Sequence, residues 1–153
     1  MIHRFILDGM LGSLARWLRI IGYDTLYFVD KEDDELRDEA QESSRMLVTR
    51  DDELYRIAVK NGIDAFHIIS EKTIDQLKEL ADGLGLKMVP LNTRCPKCNG
   101  VLESVKKEAV KERVPEASFN AFNEFWVCNE CNSVYWRGSH WVQIEETLNK
   151  IEG

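Results

Sequence analysis

Four times between Phe5 and Ala81, a short apolar run is followed by a stretch whose apolar residues recur at helical spacing. Phe5-Ile6-Leu7, Thr25-Leu26-Tyr27-Phe28-Val29, Met46-Leu47-Val48-Thr49 and Ala65-Phe66-His67-Ile68-Ile69 read as strands. The first helix carries Leu11, Leu14, Leu18 and Ile21 until Gly22 stops it, and the second runs from about Asp33 to Ser43 with only Leu36 and Ala40 as an apolar line. A third bears Leu54, Ile57 and Ala58 and ends near Asn61-Gly62; Ile74, Leu77, Leu80 and Ala81 mark a fourth. Strands and helices that take turns require crossover connections, which make a parallel sheet covered by helices. The strands are continuous apolar runs, as expected when both sheet faces are buried. The expectation is therefore an α/β fold. Leu86-Lys87-Met88-Val89 adds a possible last short strand, and Ile144–Ile151 a terminal helix.

The second constraint is chemical. Cys95/Cys98 and Cys128/Cys131 form two Cys-x-x-Cys pairs, each followed by residues that suit a tight turn: Asn99-Gly100 and Asn132-Ser133. Four thiolates at ~2.3 Å close a tetrahedral shell around zinc and leave no position open for catalysis. Paired knuckles of this spacing favour metal over disulfides. The 29 residues between the knuckles suffice for a small β-module but not for a second independent core. The expected organisation is 1–92 as the α/β domain, 93–142 as a zinc ribbon and 143–153 as a helical tail.

Composition narrows the surroundings. No run of 18 apolar residues appears, and the start is too quickly charged for a signal peptide, so a cytoplasmic, non-membrane address is expected. The net charge of −7 does not advertise a nucleic-acid binder, but it is uneven. Residues 1–92 carry 12 Lys/Arg against 18 Asp/Glu, whereas residues 93–141 carry 7 against 6. Seven of the fourteen aromatics lie between Phe119 and Trp141. They can fill a core too small for aliphatics, or stack on bases as single-strand binders require. His140 is a possible substitute ligand or substrate contact; with four cysteines at hand it is not needed by the metal.

In open α/β sheets, ligands gather beyond the carboxyl ends of the strands. Asp8 follows the first strand, Asp51 the third, and Asp33 and Asp34 open the second helix. Each of the last three can also serve as an ordinary helix cap. Asp8 is harder to explain that way, because a carboxylate directly after a buried strand is costly without a partner. Carboxylates brought together invite a hard cation, Mg²⁺ or Mn²⁺, held by a few acids, waters and a phosphate. Gly12, Arg16 and Arg19 align on the first helix, and Arg50 adjoins Asp51, so these arginines are candidates for phosphate contacts or plain surface charges.

Three segments carry a resemblance. Phe5-Ile6-Leu7-Asp8-Gly9-Met10-Leu11-Gly12-Ser13-Leu14-Ala15-Arg16-Trp17-Leu18-Arg19-Ile20-Ile21-Gly22-Tyr23-Asp24-Thr25 opens the chain. Arg45-Met46-Leu47-Val48-Thr49-Arg50-Asp51 follows, and the paired knuckles end in Tyr135-Trp136-Arg137-Gly138-Ser139-His140. Together they resemble the RNase domain at the C-terminus of the mut-seven exonuclease, a family that also occurs as stand-alone prokaryotic proteins. The resemblance implies a PIN-like, doubly wound parallel sheet with a C-terminal zinc ribbon, and a metal-dependent ribonuclease acting on single-stranded RNA. It implies Asp8, Asp33 and Asp51 as catalytic, Mg/Mn-binding acids, with Asp33 preferred to Asp34 and Asp52 the nearest candidate for a fourth. Arg16, Arg19 and Arg50 would bind substrate, and Cys95, Cys98, Cys128 and Cys131 would hold a structural zinc. Endo- or exonucleolytic action and any protein partner stay open.

The rival readings are a non-catalytic RNA-binding zinc-ribbon protein, an aspartate phosphotransferase and a toxin-type nuclease. The second is weakened by Met10, which stands where a haloacid-dehalogenase phosphatase needs its second Asp. The ribbon argues against the third.

Overall fold

β1 (Arg4–Leu7), β2 (Asp24–Tyr27), β3 (Met46–Thr49) and β4 (Ala65–His67) pair in parallel in the order β2-β1-β3-β4. This is seen in a computed structural model, which describes residues 3–152. Met1, Ile2 and Gly153, included in the expected 1–92 and 143–153 segments, lie outside the described residues. The order reverses between β1 and β3, so the crossovers place helices on both faces. Strand geometry then divides the side chains, since neighbours along a strand point to opposite sides. Phe5, Leu7 and Val48 pack with α1 (Gly12–Ile21) and α4 (Thr73–Leu84), through Leu14, Leu18, Leu77 and Leu80. Ile6 and Leu47 pack on the other face with α2 (Asp33–Glu42) and α3 (Asp52–Lys60), through Leu36, Ala40, Leu54 and Ala58. The expected doubly wound α/β architecture is what forms.

Strands two and four are shorter than their apolar runs. β1 ends at Leu7, opposite Tyr27, and β3 at Thr49, opposite His67. Beyond them the Ile68 amide still reaches the Thr49 carbonyl at 2.8 Å, but those that follow have no neighbouring strand among the described residues. Val29 and Ile69 are left exposed on the loops that follow. Leu86–Val89 is a correction: it forms no strand. Leu86 and Met88 are buried and Lys87 and Val89 exposed, and the Met88 amide donates to Glu152 Oε1 at 3.0 Å. The alternation belongs to an extended segment lying on the core with a side chain, not a strand, as its partner.

The cysteine half contains β5 (Leu102–Val105), β6 (Phe125–Cys128) and β7 (Val134–Tyr135), antiparallel in that order. A 3₁₀ turn (Lys107–Arg113) and α5 (Glu116–Ala121) fill the connection between β5 and β6. Its core is only Val110, Val114 and Phe125, with Phe119, Phe122 and Trp136 packed around them. Four of the clustered aromatics are thus core residues, as a module too small for aliphatics requires.

The last helix, α6 (Ser139–Glu152), begins earlier than its apolar spacing indicated and leaves the ribbon behind. Leu148 and Ile151 are buried in the same cluster as Phe5 and Leu18, with Ile144 packed against it. Among the described residues, no helix is long and apolar enough to cross a membrane.

Candidate functional site

The four cysteine sulfurs lie within 4.8 Å of one another. Cys95 and Cys131 Sγ are 3.7 Å apart, and Cys98 and Cys128 Sγ 3.4 Å. A tetrahedron with ~2.3 Å zinc–sulfur bonds has edges of about 3.8 Å, so the cluster could hold zinc with little adjustment. The local chain explains the arrangement. Asn99 and Asn132, each directly after the second cysteine of its pair, adopt positive φ (71° and 63°), a region that Asn tolerates better than most residues. At Gly100 a Cβ would stand 2.6 Å from Cys128 Sγ, so only glycine lets the two knuckles meet.

Donors surround the sulfurs. The Gly100 amide points at Cys98 Sγ and the Glu130 amide at Cys128 Sγ, each at 3.4 Å. Ser133 Oγ lies 3.2 Å from Cys131 Sγ, and the Tyr135 phenol 2.9 Å from Cys95 Sγ. Hydrogen bonding from Ser133, the leading cause, draws the Cys131 thiol down to about 6. Desolvation within the cluster leads in pushing Cys98 up to about 12. One thiol ionises readily while its neighbour, kept from water, resists carrying charge, and a divalent cation removes that conflict. Tyr135→Phe deletes one donor while keeping the ring. It is expected to weaken zinc binding roughly 10-fold in competition with a chromogenic chelator, the low end for partners of metal ligands. An unchanged affinity would show that the phenol does not serve the metal.

The carboxyl edge of the sheet holds the acids. Asp8, directly after β1, is buried: Oδ1 accepts from the Met10 amide at 3.1 Å, and Oδ2 takes the Thr49 hydroxyl. Thr49 Oγ1 also accepts from the Asp51 amide at 3.0 Å, so the last residue of β3 ties the two aspartate positions together. Asp51 caps α3, its Oδ1 accepting from the Glu53 and Leu54 amides at 2.9 and 3.2 Å. Asp33 and Asp34 are exposed in the first turn of α2, and neither is its cap. That role falls to Glu32, whose side chain exchanges bonds with Glu35 in a capping box. Among the described residues, the cysteines are the one group of three or more ligand-type side chains gathered within 4.8 Å. Asp8, Asp33 and Asp51 do not converge to that degree, and Asp52 is paired with Arg56 on the surface at 3.0 Å.

The three arginines do not share one rim. Arg19 is buried, donating from Nε to the Thr25 carbonyl at 2.9 Å and from Nη1 to the Pro96 carbonyl at 3.2 Å. Its guanidinium fastens the first knuckle to the α/β domain. Arg50 is half-buried, and its Nε has no partner among the described residues. Arg16 is exposed and faces the ribbon across a cleft. Gly12 does not offer bare backbone: the Tyr27 phenol lies where its Cβ would point, 2.9 Å away, and donates to the Gly9 carbonyl at 2.8 Å.

Four residues escaped the sequence reading. Asp24 receives Arg45 Nη1 at 2.8 Å and Asn99 Nδ2 at 2.7 Å, and Arg4 and Arg94 each approach it to 3.5 Å. Asn99 Oδ1 in turn accepts from the Thr25 amide at 2.9 Å. Arg45 is almost wholly buried, and its Nη1 also reaches the Phe5 and Asp24 carbonyls. Thr49, the fourth, had a visible cue: a hydroxyl ending a buried apolar run, two residues before an aspartate. The Asp24–Asn99 contact spans 75 residues, and no local pattern announces it.

The model of one protein family, described as the Mut7-C RNAse domain, matches residues 3–148. No curated protein and no solved structure matches the chain.

Proposed function

Because the chain belongs to the Mut7-C RNAse domain family, we propose that it is a Mg²⁺- or Mn²⁺-dependent ribonuclease. It would hydrolyse phosphodiester bonds of single-stranded RNA in the cytoplasm, with a structural zinc ribbon helping to hold the strand. The observation that carries this reading is the buried Asp8 carboxylate, bridged through Thr49 to Asp51 at the carboxyl edge of the sheet. Each carboxylate oxygen of Asp8 accepts one hydrogen bond and keeps a second lone pair. That suits a cation held loosely by one or two carboxylates, waters and a substrate phosphate, rather than a closed three-acid cage.

When bound, such a cation would supply charge neutralisation at the scissile phosphate and a water acidified for attack. The residues themselves do the positioning. Thr49 and the Met10 amide fix the Asp8 carboxylate in one orientation, and the Thr49 hydroxyl is held in turn by the Asp51 amide. Asp51 is stiffened by the start of α3, so its free oxygen has a defined direction. Asp33, exposed in the first turn of α2, would be the third acid offered to the cation. Arg50, half-buried beside Asp51, would offer the accessible part of its guanidinium as a phosphate contact.

The test uses 5′-labelled single-stranded RNA, with and without added Mn²⁺, beside Asp8→Asn. Metal-stimulated cleavage leaving 5′-phosphates is expected, falling roughly 100-fold or more in the variant. Equal cleavage by the variant, or none by the wild type, would sink the assignment. A second reading, a non-catalytic RNA-binding protein, is favoured by the commitment of Asp51 Oδ1 to capping α3. It wins if RNA is bound and Mn²⁺ cuts nothing.

A further inference from the structure

Between α1 and the ribbon lies a cleft of about 100 Å³ whose walls differ sharply in chemistry from the acidic sheet edge. Arg16 and Ile20, one turn apart, form one wall; Tyr135, Trp136, His140 and Trp141 form much of the other. The aromatics are concentrated by local geometry. Gly138 is buried at the turn from β7 into α6, and a Cβ there would meet Trp136 Nε1 at 3.2 Å and His140 Nδ1 at 3.4 Å. Trp141 is braced from outside by Arg137, whose guanidinium sits 5.0 Å above its ring and 5.5 Å from that of Trp126. Trp136 packs against Phe125 with ring centroids 6.2 Å apart, so it and Trp141 each have a neighbour that restrains them before anything binds.

Arg16 is exposed and pairs with no carboxylate among the described residues. An unspent guanidinium opposite fixed aromatic rings matches a base with its phosphate: rings stack on a base of any identity, and the planar cation takes the phosphate. The surrounding segment, residues 93–141, is also the part of this acidic chain in which bases outnumber acids.

We propose that this cleft is a stacking subsite for one nucleotide of single-stranded RNA, with its base against the rings of Trp136, His140 or Trp141 and its phosphate on Arg16. This rests on the ribonuclease reading and deepens it. α1 starts at Gly12, beside the Asp8 edge, and Arg16 lies four residues on, about 6 Å along the axis. The helix then runs back toward the opposite edge, where the first knuckle meets Arg19 and the start of β2. A nucleotide parked here therefore anchors the strand on the ribbon side of α1, set back from the acids. The ribbon becomes a gauge that sets where along the strand the backbone is presented.

The experiment uses the full zinc-loaded chain labelled with 5-fluorotryptophan. Its four resonances, from Trp17, Trp126, Trp136 and Trp141, are assigned by single Trp→Phe variants. A single-stranded ten-nucleotide RNA is titrated without added Mg²⁺ or Mn²⁺, and its affinity is read separately by fluorescence anisotropy. Trp136 and Trp141 should shift while Trp17 stays, and Arg16→Ala and Trp141→Ala should each weaken binding by about 5- to 100-fold. Arg16 lies on the surface, so its variant should keep full zinc content and the wild-type circular dichroism. Binding with all four resonances still and both variants unimpaired overturns the subsite while leaving ribonuclease activity intact. Resonances that move with protein concentration alone overturn it in favour of self-association. Failure to bind the RNA at all overturns it too, and the separate Mn²⁺ cleavage assay then decides the ribonuclease reading.

Discussion

Zinc removal should collapse the second half of the chain. The ribbon's own core is three buried side chains, Val110, Val114 and Phe125, ringed by partly exposed aromatics. Small modules of this kind derive most of their folding free energy from the metal, about 10–16 kcal/mol in apparent terms for zinc-finger peptides at neutral pH. Cys128→Ser is expected to abolish stoichiometric zinc binding and to lose the near-ultraviolet dichroism of the ribbon tryptophans. The damage should spread, because Arg19 and Asn99 bind the first knuckle to β2 and would be left with buried groups unpartnered. A loss of about 3–5 kcal/mol from the α/β domain would lower Tm by about 10 °C or more at this chain length. A variant that keeps both zinc and Tm would show that the cysteines are not the module's anchor.

Asp24→Asn should be almost as costly, although Asp24 touches no part of the candidate active site. Burial raises its carboxyl pKa, but hydrogen bonds from Arg45 and Asn99, with the charges of Arg45 and Arg94, outweigh that and hold it at about 2, against an ordinary 3.8. The asparagine leaves the Arg45 guanidinium buried without its counter-charge, and Arg45 Nε already lacks a partner among the described residues. Breaking one side of a buried pair typically costs about 3–5 kcal/mol. The pH dependence has a definite sign. A carboxyl with a lowered folded pKa stabilises above its unfolded pKa, and that contribution fades as pH falls through the folded value. The wild-type advantage over Asp24→Asn, in urea midpoints, should therefore be full near pH 5 and shrink between pH 4 and 2. The ionisation part amounts to about 2 kcal/mol. An advantage that stays constant over that range would remove ionised Asp24 from the account.

The α/β half was legible because its code is local. Continuous apolar runs and helical spacings placed every strand of the sheet, and Met46–Thr49 coincides with β3 residue for residue. The cysteine centre was legible for the same reason, with ligand spacing written into each knuckle. Misreadings arose where distant parts meet. Leu86–Val89 looked like a strand because burial of alternate residues is common to strands and to any extended chain pressed on a core. Arg19 read as a phosphate contact because nothing near it in sequence shows the Pro96 carbonyl it serves. The acidic site was half visible: Asp8 stood out by position, whereas Thr49, a buried hydroxyl, needed a sheet in which β1 lies beside β3. Asp33 and Asp51 are ambiguous in sequence for a physical reason, since a carboxylate that opens a helix and one that faces a ligand occupy the same place.

The return of α6 to the groove beside α4 has a bearing on how the chain comes to be folded. While the ribbon is being synthesised, the growing polypeptide carries a sheet whose α1/α4 side still lacks Leu148 and Ile151. That apolar face stays wet until α6 has been made, so the first half cannot finish on its own schedule. A fragment cut before the knuckles should be sticky and poorly ordered, whereas one that keeps α6, grafted by a short linker in place of the ribbon, should stay in solution.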